Sequence, residues 1–402
     1  MMEQYKDKLK KIIKPFYIKI RIWMKYINKL IKSNYSYIKL VYCNKRYGYN
    51  ITRWEYIVFD HSLGGGATQA LEEKLNNDVN FRKKTIVIRY IDSISGYQIV
   101  IIQDQIRKTY MVPTYRKIAR ILNDYNFNRI YVNELFEYDN VYRWLELLKK
   151  LKELKKCDLI YMLHDYYCIC PISNLMLDSR EYCALKYECN QCLANYSKYN
   201  DAYGNIDEWR KKWGDFLKEC TQIIAFSINT RDTIQSVYKE IKIDIIPHQI
   251  YKQLRQVHID NKGSILNIGI LGNLSYIKGL CIVKQMVRYV LEQKKPIKFI
   301  LIGDISGDEV DNSTAFCKTG RYKREDLPKI VEYYKIDIIL VASVIPETFS
   351  YTTHEAIMMN LPTACFNLGA QAECVKKYDK GIIIPEINYK TAVEILLNNW
   401  RK

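Results

Sequence analysis

From about residue 55 onward the chain alternates short apolar runs with amphipathic stretches, in two successive series. That alternation is the pattern of parallel α/β structure: a strand covered on both faces reads as a brief apolar run, and reaching its parallel neighbour takes a helical crossover. The first series is Tyr56–Phe59, Thr85–Tyr90, Gln98–Ile102, Arg129–Val132, Asp158–Leu163 and Gln222–Phe226, with helical stretches such as Pro113–Asp124 and Val141–Leu154 between them. The second is Leu266–Leu271, Lys298–Ile302, Ile336–Val341, Thr363–Phe366 and Gly381–Ile384, with Leu280–Glu292 and Leu327–Tyr334 intervening. Residues 248–263, polar and weakly patterned after Pro247, read as a linker. The expected organisation is therefore an extension over 1–50, an α/β domain over 51–247, the linker, and a second α/β domain over 264–402, whose final helix lies near residues 388–400. A chain of 402 residues with 48% hydrophobic content supplies two cores. Two such halves joined by a hinge are expected to leave a cleft at the carboxyl ends of their strands, where open α/β sheets bind ligands.

Charge separates the first fifty residues from the rest. They hold thirteen Lys and Arg against Glu3 and Asp7, which accounts for most of the net charge of +18. A protein gripping nucleic acid along its length would spread that charge, so no nucleic-acid partner is expected. Within residues 1–32 the apolar Leu9, Ile12, Ile13, Phe16, Ile20, Trp23, Met24, Ile27, Leu30 and Ile31 recur at helical intervals among lysines. A basic amphipathic helix of this kind suits an anionic membrane surface, or else packs on its own protein; Pro15 is expected to kink or split it. No apolar run is long enough to span a bilayer and no secretory signal is evident. The expected location is the cytoplasm, peripheral on the inner face of the cell membrane.

Two segments carry candidate chemistry. After Tyr56–Phe59, Gly64, Gly65 and Gly66 sit between a strand and a helix start, where the backbone can approach an anion; the spacing is neither a dinucleotide fingerprint nor a P-loop. In IPETFSYTTHEAIMMNLPTACFNLGAQAE, residues 345–373, Glu347 precedes a helix that begins near Ser350, and Glu355 lies one turn inside it. Two carboxylates flanking a helix start suit a ligand with several hydroxyl groups and a diphosphate. Asn360 and Pro362 form a helix stop, and the loop at Gly369 can lend N–H groups.

The Glu-x7-Glu spacing, the alanine after Glu355, the small-residue loop and Glu373 resemble the donor site of retaining glycosyltransferases of family 4, in the branch associated with bacterial cell-surface polysaccharide synthesis. TGRYKREDLPKIVEYYKIDIILVASVIPETFSYTTHEA, IGILGNLSYIKGL, HSLGGGAT and HDYYCICPISNL are similar to the same branch, in the order expected, from about residue 56 to 385. The resemblance implies the GT-B fold: two Rossmann-like domains facing each other across a cleft, the first on the acceptor side and the second binding the donor nucleotide. It implies that Glu355 holds the donor ribose and Glu347 the hydroxyls of the transferred sugar. Lys278 and Gly279 would meet the diphosphate, helped by amides near Gly64–Gly66 and Gly369, and Thr348, Phe349 and Ser350 complete the donor site. His164 and Asp165 would face the donor sugar or the acceptor, with Glu347, Lys278 and His164 as the catalytic set. The family often has an arginine where this chain has Asn273, so Arg321 is a candidate replacement contact; glycine is common where Ser350 stands.

The implied activity is transfer of a sugar from a nucleotide-diphosphate donor to a saccharide or lipid-linked glycan, with retention. It needs no catalytic metal, since a lysine and loop amides stabilise the departing diphosphate. Alternatives are a GT-B sugar-nucleotide epimerase or hydrolase, and a basic membrane- or nucleic-acid-binding protein without transfer activity. A separate cluster, Cys168, Cys170, Cys183, Cys189 and Cys192, includes one C-x2-C pair; it suits either a structural zinc at Cys168, Cys183, Cys189 and Cys192 or uncoordinated thiols in an insertion.

Overall fold

The computed structural model describes the chain apart from residues 1, 50, 51, 95, 105, 178, 179, 187, 196–204, 260–262, 311, 401 and 402; for residues 2–23, 26, 94, 194 and 195 it describes the backbone element alone. The chain forms two compact units, Met1–Met162 with Glu219–Gln222, and Leu163–Lys218 with Ile223–Lys402.

The first unit contains α1 (Met2–Tyr47), β1 (Arg53–Asp60), α2 (Gly65–Asn77), α3 (Val79–Lys83), β2 (Lys84–Ile91), β3 (Gly96–Gln103), β4 (Ile106–Val112), α4 (Tyr115–Asp124), β5 (Asn126–Val132), α5 (Val141–Lys155) and β6 (Asp158–Met162). Its strands run in the order β4-β3-β2-β1-β5-β6. β1 lies parallel to β2 and β5, and β5 parallel to β6. The edge differs from the all-parallel expectation, because β3 is antiparallel to both β2 and β4. Only two residues separate β3 from β4, too few for a crossover, so the chain must turn straight back.

α1 is one helix of 46 residues, so the chain is not split at Pro15. The carboxyl half of α1 packs on this unit. Leu40 is fully buried, Ser36 accepts from the Met111 N–H at 2.8 Å, and Asn44 accepts from the Tyr125 hydroxyl at 2.7 Å. The expected apolar positions from Leu9 to Trp23 lie outside the described side chains.

The second unit contains α6 (Cys189–Asn195), most of α7 (Ile206–Glu219) and of β7 (Gln222–Ala225), then α8 (Ile228–Val237), β8 (Asp244–Ile245), β9 (Leu266–Ser275), α9 (Leu280–Glu292), β10 (Ile297–Ser306), β11 (Phe316–Lys318), α10 (Leu327–Tyr333), β12 (Ile338–Val341), α11 (Tyr351–Met358), β13 (Thr363–Phe366), α12 (Gly369–Lys376), β14 (Gly381–Ile384) and α13 (Tyr389–Trp400). Its six-stranded sheet is parallel, in the order β11-β10-β9-β12-β13-β14. Side chains alternate across it. Phe299 and Leu301 of β10 join Val283 and Met286 of α9 and Val393 and Leu396 of α13 on one face, while Ile300 and Ile302 meet Leu327, Val331 and Met359 on the other. Cover on both faces is why these strands read as uninterrupted apolar runs. The molecule thus has two Rossmann-like α/β domains.

Candidate active site

The first strand of the second sheet, β9, has β10 on one side and β12 on the other, so the strand order reverses there. At such a point the loops leaving the carboxyl ends of adjacent strands diverge and open a ligand site between them. Here the loop from β9 into α9 carries Lys278 and Gly279, and the loop from β12 into α11 carries Ala342 to Ser350. The two loops are tied where they begin: the Val344 N–H donates to the Ile277 carbonyl at 3.2 Å. Gly279, at φ 90°, sits so close that an added Cβ would run into the Ala342 carbonyl, so no larger residue fits. A cavity of about 70 Å³ beside this junction is lined by Gly272, Asn273, Lys278, Ser343 and Thr352 among others.

Glu347 is buried at the centre. The Lys278 ammonium donates to its Oε1 at 2.6 Å, and the Ser343 hydroxyl donates to the same oxygen. Burial pushes this carboxyl up, but the charge and hydrogen bond of Lys278, with hydrogen bonds from Ser343 and Ser350, outweigh it and hold the group below its ordinary value. The backbone of Glu347 is clamped as well. Its N–H donates to Gln371 Oε1 at 3.0 Å, and its carbonyl accepts from the Ala370 N–H at 2.8 Å. The other end of the Gln371 amide donates to the Ile345 carbonyl at 2.9 Å, so one buried side chain holds both ends of Ile345–Glu347. Gly369 makes this approach possible: at φ 67° an added Cβ would lie 2.6 Å from the Pro346 Cα.

Glu355, also buried, accepts from Arg324 Nε at 2.8 Å, and Arg324 Nη1 donates to the Lys252 carbonyl at 2.9 Å. Between the two carboxylates, the Thr348 hydroxyl donates to the His164 carbonyl at 2.7 Å, and the Phe349 ring stacks on His354 at 4.5 Å. Ser350 stands at the N-cap position of α11, and its hydroxyl oxygen accepts from the Thr353 hydroxyl at 2.8 Å. His354 Nδ1 lies 2.8 Å from the Ser350 carbonyl, which can only accept, so the imidazole proton sits on Nδ1.

Residues 265–399, one part of the second unit, match the family model described as glycosyl transferases group 1. The chain is a glycosyltransferase. The fold is shared with solved structures at low sequence identity. HepE (Alr3699) of Anabaena, solved with UDP and glucose, superposes with a TM-score of 0.53 at 14% identity, over 86% of this chain and 89% of its own. Sucrose-phosphate synthase of Thermosynechococcus elongatus gives 0.52 at 14% identity, over 87% and 91%. The catalytic domain of starch synthase IV from Arabidopsis thaliana, bound to ADP and acarbose, gives 0.52 at 10% identity, over 87% and 93%. Identities this low establish the GT-B architecture and no more. No curated protein sequence matches significantly.

In this glycosyltransferase the sequence candidates Lys278, Gly279, Glu347, Thr348, Phe349, Ser350, Glu355, Gly369 and His164 all belong to the second unit. The His164 ring stacks on His248 at 5.1 Å, and the Asp165 carboxylate accepts from the Tyr167 N–H at 2.9 Å. Asn273 exchanges hydrogen bonds with Ser306 at 2.8 and 3.0 Å. Arg321 points into solvent, 92% exposed, with Asp304 at 3.9 Å; Arg324, three residues on, is the one that turns inward. Gly64 and Gly65, at φ 83° and 84°, and Gly66 form the start of α2 in the first unit. Sequence reading missed Arg324 and Gln371. Arg324 hides among Arg321 and Lys323, and only the polarity of Gln371 in the small-residue run Gly369–Ala372 marks it.

The expected zinc set is not assembled. Cys168 is fully buried and does not border the small cavity that Cys183, Cys189 and Cys192 share with Cys170. Among the described residues, no three His, Cys, Asp or Glu side chains are disposed to hold a metal ion as they stand.

Proposed function

We propose that this enzyme moves a sugar from a nucleotide-diphosphate donor to a saccharide or lipid-linked glycan acceptor in bacterial surface polysaccharide synthesis. Residues 264–402 form the donor domain, residues 51–247 the acceptor side and residues 248–263 the linker. The supporting observation is the buried Glu347 carboxylate held against Lys278 at the mouth of β9, one loop from the Arg324–Glu355 pair. An anion-binding lysine, a hydroxyl-accepting carboxylate and a second carboxylate one helical turn further match the three parts of a sugar nucleotide: diphosphate, sugar and ribose.

Breaking the bond between the anomeric carbon and the diphosphate oxygen builds positive charge on the sugar ring and negative charge on the leaving group. Lys278 and the N–H groups at the start of α9 neutralise the diphosphate, which is the role a metal has in other transferases. When the donor binds, Lys278 turns from Glu347 toward phosphate, and Glu347 accepts from sugar hydroxyls. Glu355, oriented by Arg324, accepts from the ribose. Gly64–Gly66 lend amides, and His164 and Asp165 serve the donor sugar or the acceptor. Retention at the anomeric carbon follows from the resemblance to family 4.

A role at the inner face of the cell membrane is supported by α1. Met24, Ile31, Tyr35, Ile38 and Tyr42 are all more than half exposed and recur at intervals of seven, four, three and four, hence along one side of the helix. Leu40 and Ser33, on the other side, are buried. An apolar stripe bordered by Lys32, Lys39 and Arg46 suits a bilayer interface with anionic headgroups. The deciding experiment is a thermal-shift screen of nucleotide sugars followed by a transfer assay with the stabilising donor. Stabilisation by one donor in the wild type, lost in Glu355→Ala, supports the reading; no stabilisation by any nucleoside diphosphate sugar overturns it.

A further inference from the structure

Between Cys170 and Leu193 the second unit carries a segment to which the proposed transfer reaction assigns no residue. Its backbone is a small hairpin: Met176 bridges Tyr182 in antiparallel fashion, the Leu177 N–H donates to the Glu181 carbonyl at 2.8 Å, and the Cys183 N–H to the Leu175 carbonyl at 2.9 Å. Cys170 lies before the hairpin, Cys183 closes it, and Cys189 and Cys192 occupy the first turn of α6. The four border one cavity of about 20 Å³ whose remaining wall is apolar, with Ile172, Leu175 and Leu193, except for Arg210. That volume is of the order of a single small occupant, since roughly 10–15 Å³ admits one water-sized probe.

Two sulfurs already receive main-chain donors in the same way. The Leu185 N–H donates to Cys183 Sγ at 3.5 Å, and the Ile172 N–H donates to Cys170 Sγ, each two residues beyond its cysteine. An N–H aimed at sulfur favours thiolate over thiol. Arg210 Nη2 lies 3.5 Å from Cys189 Sγ and supplies positive charge beside the cluster. A divalent ion with four thiolates carries a net double negative charge, which this guanidinium offsets in part.

We infer that Cys170, Cys183, Cys189 and Cys192 form a structural four-thiolate site for zinc, with Cys170 and not Cys168 as its first ligand. The spacing ends in C-x2-C, and the backbone turns that present the sulfurs are in place. As they stand the four sulfurs do not converge on one point. Closure on an ion requires the four cysteine side chains to converge and their thiol protons to be lost to water. The site would brace the hairpin, whose Arg180 guanidinium lies over the Tyr276 ring at 3.7 Å, two residues before Lys278.

Metal analysis of the full chain, purified without a histidine tag from zinc-supplemented cells, tests this. About one equivalent of zinc is expected, as for a closed four-ligand site. Cys170→Ala, Cys183→Ala and Cys192→Ala should each lose it, while Cys168→Ala and Cys281→Ala keep it. If the single variants fail to fold, cobalt substitution of the wild type decides, through the thiolate-to-cobalt charge-transfer intensity of a four-thiolate site. Wild-type protein with negligible zinc and no such band on cobalt addition overturns the inference, and so does a folded Cys170→Ala that retains its metal.

Discussion

Lys278 Nζ and Glu347 Oε1 stand 2.6 Å apart, although Lys278 is 42% exposed and Glu347 is buried. The exposed partner can swing away to meet an incoming anion, whereas the buried one cannot follow it. Glu347→Gln keeps the shape of the site and removes the charge. We expect it to lower kcat by about 10²–10³-fold, the usual cost of one preorganised electrostatic contact. Lys278→Ala should lower kcat comparably and also leave the buried carboxylate without its cation. Steady-state transfer kinetics, with circular dichroism to confirm folding, check both.

Arg324 and Arg321 form a matched pair of controls. Arg324→Ala removes the partner of a buried carboxylate and frees the Lys252 carbonyl, so it should destabilise the fold by about 3 kcal/mol and raise the donor KM. Arg321→Ala removes a solvated side chain and should leave stability within about 0.5 kcal/mol of wild type. Urea denaturation compares the stabilities, and donor titration of the transfer rate compares the KM values. A donor KM raised by Arg321→Ala and not by Arg324→Ala would reverse their roles.

The Glu347 loop is held from behind by α12. Gly369→Ala forces a Cβ into Pro346 and the Glu347 backbone and places alanine at positive φ, costing roughly 1–3 kcal/mol in backbone strain before any displacement of the loop. Gln371→Ala strands the Glu347 N–H and the Ile345 carbonyl, about 1–3 kcal/mol for buried groups left unsatisfied. Both variants should lose activity out of proportion to their loss of stability, because the displaced atoms carry the Glu347 carboxylate to which the proposed mechanism assigns the sugar hydroxyls. Denaturant midpoints measured beside kcat test this.

How much of this the sequence disclosed depends on whether a feature is local. β13, β14 and α9 fall on the residues their apolar pattern marks, because each is covered on both faces or lies along one core. β4 went unread because Ile106–Val112 is an edge strand whose polar side chains, Arg107, Lys108 and Thr109, break the apolar signal. The antiparallel edge also needed knowledge of a turn two residues long. At the site, Glu347, Glu355 and Lys278 were legible as motif residues, but their partners Ser343, Arg324 and Gln371 were not. Those contacts join positions up to 31 residues apart through tertiary packing, which no spacing rule encodes.

Acid should act in two separate ranges. Burial depresses His354 and His61 below their ordinary value of 6.5, so the unfolded chain takes up protons that the native histidines refuse. Stability therefore starts to fall as pH drops below about 6.5. Glu347 and Glu72 are held below the ordinary 4.5 by their cations despite burial, so the stability they contribute is complete above about 4.5 and is lost as pH falls through the native values. Urea midpoints measured from neutral pH down to about 3.5 should show both components. His354→Gln should reduce the upper one alone and Glu347→Gln the lower one alone.

The two sides of α1 predict different outcomes for two truncations. Residues after 32 include the buried Ser33, Leu40 and Cys43 and the hydrogen bonds of Ser36 and Asn44, so removing residues 2–47 should expose the sheet edge at β4 and cost the fold most of its stability. Removing residues 2–23 takes away basic and apolar residues while leaving that packing in place, so the melting temperature and transfer to a soluble acceptor should stay near wild type. Sedimentation with vesicles containing phosphatidylglycerol should then fall several-fold, and high salt should weaken the wild type in the same assay, since each lysine near an anionic surface contributes about 1 kcal/mol. Replacing Ile31, Tyr35 and Ile38 by Ser in the full chain should weaken vesicle binding without changing its salt dependence. Unchanged vesicle binding in both the truncation and the triple variant would mean that α1 serves only as a cover for β4.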